Sequence, residues 1–323
     1  MLGLGEGSSH TRTFIMGMPY YVAPRQTYIK SWCLPVIDRL ALGTVQFGLP
    51  YGIANRMGQV SRDEASAILK FAWAMGLDTL DTAIAYGESE QRLGEIGVSQ
   101  WQIISKLPLM PESCPDISSW VRKLVSDSLE RLRVGRLYGL LLHHPQQLMG
   151  QRGQILYETI NNLKQQGMVE KIGISVYDPQ ELEALTSSYQ LDLVQAPFNV
   201  LDRRLITTGW LTKLKQAGTE VHVRSVFLQG LMLMDATSRP ARFQKWRPLW
   251  NTWHEWLIEN QLSPLQASLG FALANTEIDR VLVGVDTLQQ LQEILSTAKI
   301  AIPSLPIELS CEDSDLINPT RWN

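Results

Sequence analysis

Short apolar runs alternate with amphipathic stretches along this chain, and the alternation recurs from about residue 39 to residue 295. The first run, Arg39 to Phe47, reads as a strand, and the Gly and Pro residues of positions 48–52 force a loop after it. Ser61 with Glu64 three residues later forms a capping-box pattern. Behind it Ala65, Ile68, Leu69, Ala72 and Trp73 repeat at helical spacing, which predicts a helix over 62–75. Leu77 and Leu80 mark a second buried strand ending at Asp81. Gly87 then turns the chain into a helix starting near Glu88.

The same unit repeats six more times. Strands are predicted over 101–107, 138–143, 171–175, 193–197, 221–227 and 280–284, with helices over 118–132, 154–166, 179–189, 205–216, 263–274 and 287–295. Eight short strands alternating with helices predict an α/β fold of the (β/α)8 TIM barrel type, a single domain over 36–323, rather than an open doubly wound sheet. Residues 228–264 exceed an ordinary connection and read as an active-site lid or cover. Trp246, Trp250, Trp253 and Trp256 in that segment either line the pocket or pack a surface helix onto the barrel. Residues 1–35 show no periodicity and read as a poorly ordered leader.

Composition narrows the function more than the fold. With 323 residues, 45% of them hydrophobic and 19% charged, the chain can bury a large core. A net charge of −3 gives no broad basic field, which argues against nucleic acid and anionic membrane surfaces as partners. Cys33, Cys114 and Cys311 lie far apart, so neither a disulfide framework nor a zinc site is expected. With no bilayer-length apolar run and no signal peptide, a cytoplasmic protein is expected, monomeric by default.

Barrel enzymes carry their chemistry at the C-terminal ends of the strands. Those ends offer Thr44, then Asp81 and Tyr86, then Lys106, His143, Ser175, Gln195, and Arg224 with Ser225. A buried lysine between a carboxylate and a phenol is a proton-handling arrangement, since the cation favours phenolate and the carboxylate orients the lysine. A neighbouring histidine can donate a hydrogen bond to a carbonyl oxygen. Taken singly, Tyr86 is as well read as a packing tyrosine and Asp81 as a cap. No spacing matches a metal site, Ser175 lacks a hydrolase elbow, and no Gly-x-Gly-x-x-Gly follows a strand.

Taken together, the segments Asp81 to Gly87, Ser105 to Leu107, Leu141 to Pro145 and Gly173 to Ser175 resemble those of the aldo-keto reductase family, in the family's order on successive strands. The resemblance covers about Leu40 to Leu295. It implies an NAD(P)-dependent oxidoreductase that reduces a small carbonyl substrate, an aldehyde or ketone with sugars among the candidates, or runs in reverse. Tyr86 is implied as proton donor, with Lys106 and Asp81 tuning it and His143, two before the proline, orienting the carbonyl. Thr44, Asp81, Ser175, Gln195, Arg224, Ser225, Leu228, Gly230, Gly284 and Gln290 match cofactor-binding positions. Phe47, Tyr51, His144 and the C-terminal tail are candidates for the substrate pocket.

Three departures from the family pattern involve four positions. Val176 replaces an asparagine that helps hold the carboxamide. Arg224 stands where an aromatic ring stacks on the nicotinamide, a role open to a planar guanidinium. Gly284 and Gln290 stand where lysine and arginine grip the 2′-phosphate of NADP. Family habit implies NADP, and the two missing cations keep NAD open. The alternative from another class is a non-catalytic nicotinamide-binding regulatory subunit on the same fold.

Overall fold

Runs of Leu, Val and Ile that are apolar on both faces pair as parallel strands only when helices cover them from outside, and this sequence supplies both. The structure is a computed structural model that describes residues 34–298 and 301–322. The expected leader 1–35 lies outside these, apart from its last two residues. The strands are β1 (Leu40–Gly43), β2 (Thr79–Asp81), β3 (Gln102–Leu107), β4 (Leu137–Leu142), β5 (Val169–Ser175), β6 (Leu193–Pro197), β7 (Glu220–Arg224) and β8 (Arg280–Gly284). They pair in sequence order, all parallel, and β1 closes onto β8 in the register Gly43 to Gly284. The (β/α)8 barrel is thus formed as expected.

The covering helices include α1 (Arg62–Ala74), α2 (Ser89–Ile96), α3 (Ile117–Leu132), α4 (Gly153–Gln165), α5 (Glu181–Ser188), α6 (Trp210–Gln216), α7 (Arg247–Glu259), α8 (Pro264–Ala274) and α9 (Leu288–Thr297). Ser61 caps α1 by accepting from the Glu64 amide, and Ser263 completes a reciprocal capping box with Gln266 on α8. Buried faces of these helices and the outward faces of the strands form one continuous apolar layer. Inside the barrel the filling is small, with Ile104, Leu141 and Leu193 meeting at its centre. Gly139 and Gly173 make room for them: a Cβ at 173 would lie 1.8 Å from the Leu193 carbonyl oxygen.

Three expectations change. The strand predicted over Arg39 to Phe47 ends at Gly43, and Val45–Gly48 forms a helical turn instead. The helix predicted over 205–216 is broken at Gly209, whose φ of 76° no helix accommodates. The segment 228–264 is no lid of tryptophans. Trp250, Trp253 and Trp256 are buried on α7 against Leu309, Leu316, Ile317 and Trp322, in a second apolar cluster that also holds Leu231 and Met232. Apolar residues at helical spacing found their partner in the distant C-terminal tail, so neither tail nor tryptophans border the pocket.

Candidate active site

The residue types needed for proton transfer converge because parallel strands all end at one mouth. Asp81 ends β2 and is buried; Lys106, one residue before the end of β3, is buried as well. Lys106 Nζ donates to Asp81 Oδ1 at 2.5 Å, to the Thr82 carbonyl at 3.0 Å and to Tyr86 Oη at 3.5 Å. Gln195 Nε2 donates to the other carboxylate oxygen of Asp81 at 2.7 Å, and Ser175 Oγ donates to Gln195 Oε1 at 3.0 Å. One hydrogen-bonded chain therefore runs from β5 through β6, β2 and β3 to the Tyr86 phenol. The His143 ring meets Tyr86 edge-on, 5.9 Å between centroids.

The loop carrying Tyr86 is clamped by its neighbours. Thr44 Oγ1 donates to the Asp81 carbonyl at 3.0 Å and lies 2.9 Å from Ser89 Oγ, which ties the ends of β1 and β2 to the start of α2. Glu90, buried on α2, accepts from Ser105 of β3 and from Ser128 and Arg131 of α3. Gly48 and Gly87 let the two loops touch backbone to backbone: a Cβ on Gly48 would stand 1.8 Å from the Tyr86 carbonyl oxygen.

Electrostatics keep both rings in one protonation state. Burial, then the Asp81 charge, push the Tyr86 phenol well above its ordinary value, against the opposing pull of Arg224. The pull of a cation toward phenolate is outweighed by desolvation, and the phenol keeps its proton. Burial lowers the Lys106 ammonium, while Asp81 opposes that fall. His143 is pushed down to about 3 by burial, then by Lys106, Arg224 and His144.

The imidazole is therefore neutral near pH 7, and its folded value lies below its unfolded one of about 6.5. A depressed value contributes stability above pH 6.5 that is lost as pH falls toward 3, because the unfolded chain takes up the proton first. Urea midpoints of wild type should accordingly drop, relative to His143→Gln, between pH 7 and pH 4.5. A constant difference between the two proteins would contradict this assignment.

The mouth opens into a cavity of about 440 Å³ bordered by Thr44, Asp81, Tyr86, His143, Ser175, Gln195, Arg224, Ser225, Gly230, Gly284 and Gln290, and by Tyr51. Ser225, Leu228 and Gln229 all have left-handed backbone, with φ of 62°, 47° and 53°, and Gly230 follows at 87°. Strain of this kind gathers where a loop is shaped around a ligand; the amides of Leu228 and Gly230 are spent inside the turn, on the Ser225 and Phe227 carbonyls. Leu228 does not border the cavity, since its side chain is buried in the second apolar cluster.

Some candidates sit elsewhere. Phe47, placed on the helical turn after β1, is fully buried in the main core and does not border the cavity. His144 is exposed and does not border the cavity. Arg224 borders the cavity, but its guanidinium lies 4.3 Å over the Tyr177 ring and donates to the Val176 carbonyl at 2.9 Å. Tyr177, Gln46, Asn55, Asp286 and Glu293 also border the cavity without having been singled out. Tyr177 and Asp286 each lie two residues beyond a strand end, a signal that was open to reading.

A lysine-backed phenol is thus held at the mouth of a closed parallel barrel. The chain belongs to the aldo/keto reductase family, whose model matches residues 39–308. It is 29% identical over 309 residues to L-galactose dehydrogenase of Arabidopsis thaliana, covering 87% of this chain and 92% of that one. It is 25% identical over 307 residues to D-threo-aldose 1-dehydrogenase of a Pseudomonas species, covering 82% and 93%. Among solved structures, an aldo-keto reductase of Bacillus halodurans in its holo form shares the fold at a TM-score of 0.66 and 19% identity, over 82% of this chain and 88% of that one. The family makes this chain a carbonyl oxidoreductase. Among the described residues no helix is long and apolar enough to cross a membrane.

Proposed function

We propose that this protein interconverts a small sugar or related polar alcohol with its carbonyl form, using a nicotinamide dinucleotide, NADP or NAD. The observation that carries the reading is the Lys106 ammonium, bonded to Asp81 and in reach of the Tyr86 oxygen at the cavity floor. The residues present suit such a cofactor. Ser175 and Gln195 offer a hydroxyl and an amide for a carboxamide, and Gln46 Oε1 is a buried acceptor without a protein partner at the cavity wall. When bound, the dinucleotide supplies or accepts the hydride.

Tyr86 then gives its proton to the oxygen of the reduced carbonyl, or takes it back in the oxidative direction. Lys106 faces the phenol oxygen as charge develops there, and Asp81 with Thr82 holds that ammonium in place. The neutral His143 donates a hydrogen bond to the substrate oxygen and fixes it beside Tyr86. Tyr51 and Tyr177 around the mouth offer hydroxyls to a polyol.

The names of the two relatives point to sugars oxidised as aldoses, which makes aldopentoses and aldohexoses the first substrates to try. Cofactor absorbance followed over a panel of aldoses, simple aldehydes and ketones should show sugars turned over at the highest kcat/KM. Turnover confined to apolar aldehydes would defeat the sugar reading, and none at all would defeat the enzymatic one.

A further inference from the structure

The cavity does not stop at the barrel mouth. From Tyr86 it passes Gly43 and Gly284 and follows α9 outward past Gln290 to Glu293 and Ile294. With a nicotinamide ring at Tyr86, this outer stretch is where the adenosine end of the dinucleotide comes to rest. The charges there have one sign. Asp286 and Glu293 border the stretch, and the only Lys or Arg among the described residues bordering the cavity is Arg224, engaged with Tyr177 and Val176 at the end of β5.

A phosphate would also find few donors. The Leu288 amide at the start of α9 is taken by Glu64 Oε1 at 2.6 Å, a third carboxylate. The Gln290 amide is taken by Thr287 Oγ1 and the Asp286 amide by Gln290 Oε1. Position 284 carries no side chain at all, and a Cβ there would lie 2.7 Å from Gln46 Nε2, so the Gln46 amide occupies the place a longer residue would take.

Acceptors, by contrast, are in surplus. Gln46 Oε1 is buried with no hydrogen-bond partner, 3.0 Å from the point a Cβ of Gly284 would occupy. Asp286 Oδ1 accepts from Asn55 Nδ2 at 3.1 Å, and among the described residues Oδ2 accepts nothing. Acceptors bordering this stretch suit a vicinal diol, which brings two donors, and the Asp286 charge repels a dianion. A carboxylate facing the ribose hydroxyls is the general device by which dinucleotide sites prefer the unphosphorylated cofactor. We propose that Asp286 and Gln46 receive the adenosine ribose hydroxyls, so that this enzyme selects NAD over NADP.

This rests on the nicotinamide reading above, and binding separates the two. Wild-type protein, Asp286→Ser and Glu293→Gln are titrated by calorimetry with ADP-ribose and its 2′-phosphate, then with NADH and NADPH, without turnover. Wild type should bind the unphosphorylated partner of each pair about 10- to 100-fold more tightly, the range set by one like-charge contact. Asp286→Ser should bring the ratio to within about threefold, by gaining NADPH affinity and losing NADH affinity, and Glu293→Gln should shift it part way. Equal or tighter binding of NADPH by wild type removes NAD selection and leaves the dinucleotide reading standing. A ratio unmoved in both variants removes the role of these carboxylates. No binding of any of the four ligands overturns the dinucleotide reading and this proposal with it.

Discussion

Tyr86→Phe is expected to fold and bind dinucleotide like wild type while losing roughly 10²- to 10⁴-fold in carbonyl turnover, the range of a single general acid. The substitution deletes one oxygen atom, whose only hydrogen bond among the described residues is the 3.5 Å approach of Lys106 Nζ. The stronger bonds of that ammonium, to Asp81 and Thr82, remain, so no buried charge is stranded. Steady-state kcat, melting temperature and calorimetric cofactor affinity together form the test. A kcat within a few fold of wild type would remove Tyr86 from the mechanism.

Gly48→Ala should be nearly as damaging to turnover, although residue 48 bears no functional group. Its Cβ would stand 1.8 Å from the Tyr86 carbonyl oxygen and 2.6 Å from the Ser89 amide nitrogen, both backbone atoms that no rotamer change can move aside. Overpacking of this kind costs about 1–3 kcal/mol of stability. Displacing the phenol by about 1 Å costs on the order of 10²-fold in rate. Gly135→Ala is the matched control, since nothing lies within 4 Å of a Cβ there. If Gly48→Ala melts early but keeps wild-type kcat in the folded protein, the clamp on the Tyr86 loop is structural only.

The barrel and the meeting of Asp81, Tyr86, Lys106 and His143 were legible in the sequence for one physical reason. Parallel strands must be crossed over by helices, so every strand ends on the same face, and a residue's place at a strand end determines its neighbours in space. What escaped depends on where a strand stops. The apolar run through Val45 and Phe47 continues past Gly43 with no breaker, yet the chain leaves the sheet at Thr44. That shift carries Phe47 into the core and turns Gln46 to the cavity. The destination of Trp250, Trp253 and Trp256 was equally hidden, because the tail that covers them lies more than fifty residues further on. Asp286 went unremarked because its meaning depends on the cavity it borders and on Asn55, 231 residues away in sequence, which only the closed barrel brings to it.

The second apolar cluster gives the C-terminal tail a mechanical part in the site. Leu316, Ile317 and Trp322 pack against α7, and in the same cluster lie Leu228, itself left-handed, and Leu231 and Met232, which follow the left-handed residues Gln229 and Gly230 at the cavity rim. Arg242 also donates to the Trp322 carbonyl. The rim is thus guyed from behind by residues that never approach the chemistry. Cutting the chain ahead of Leu309, or fusing a bulky tag directly behind Trp322, would slacken the rim without touching a reacting group. The damage would register first as weaker retention of the bound dinucleotide, in an enzyme whose proton-transfer machinery is intact.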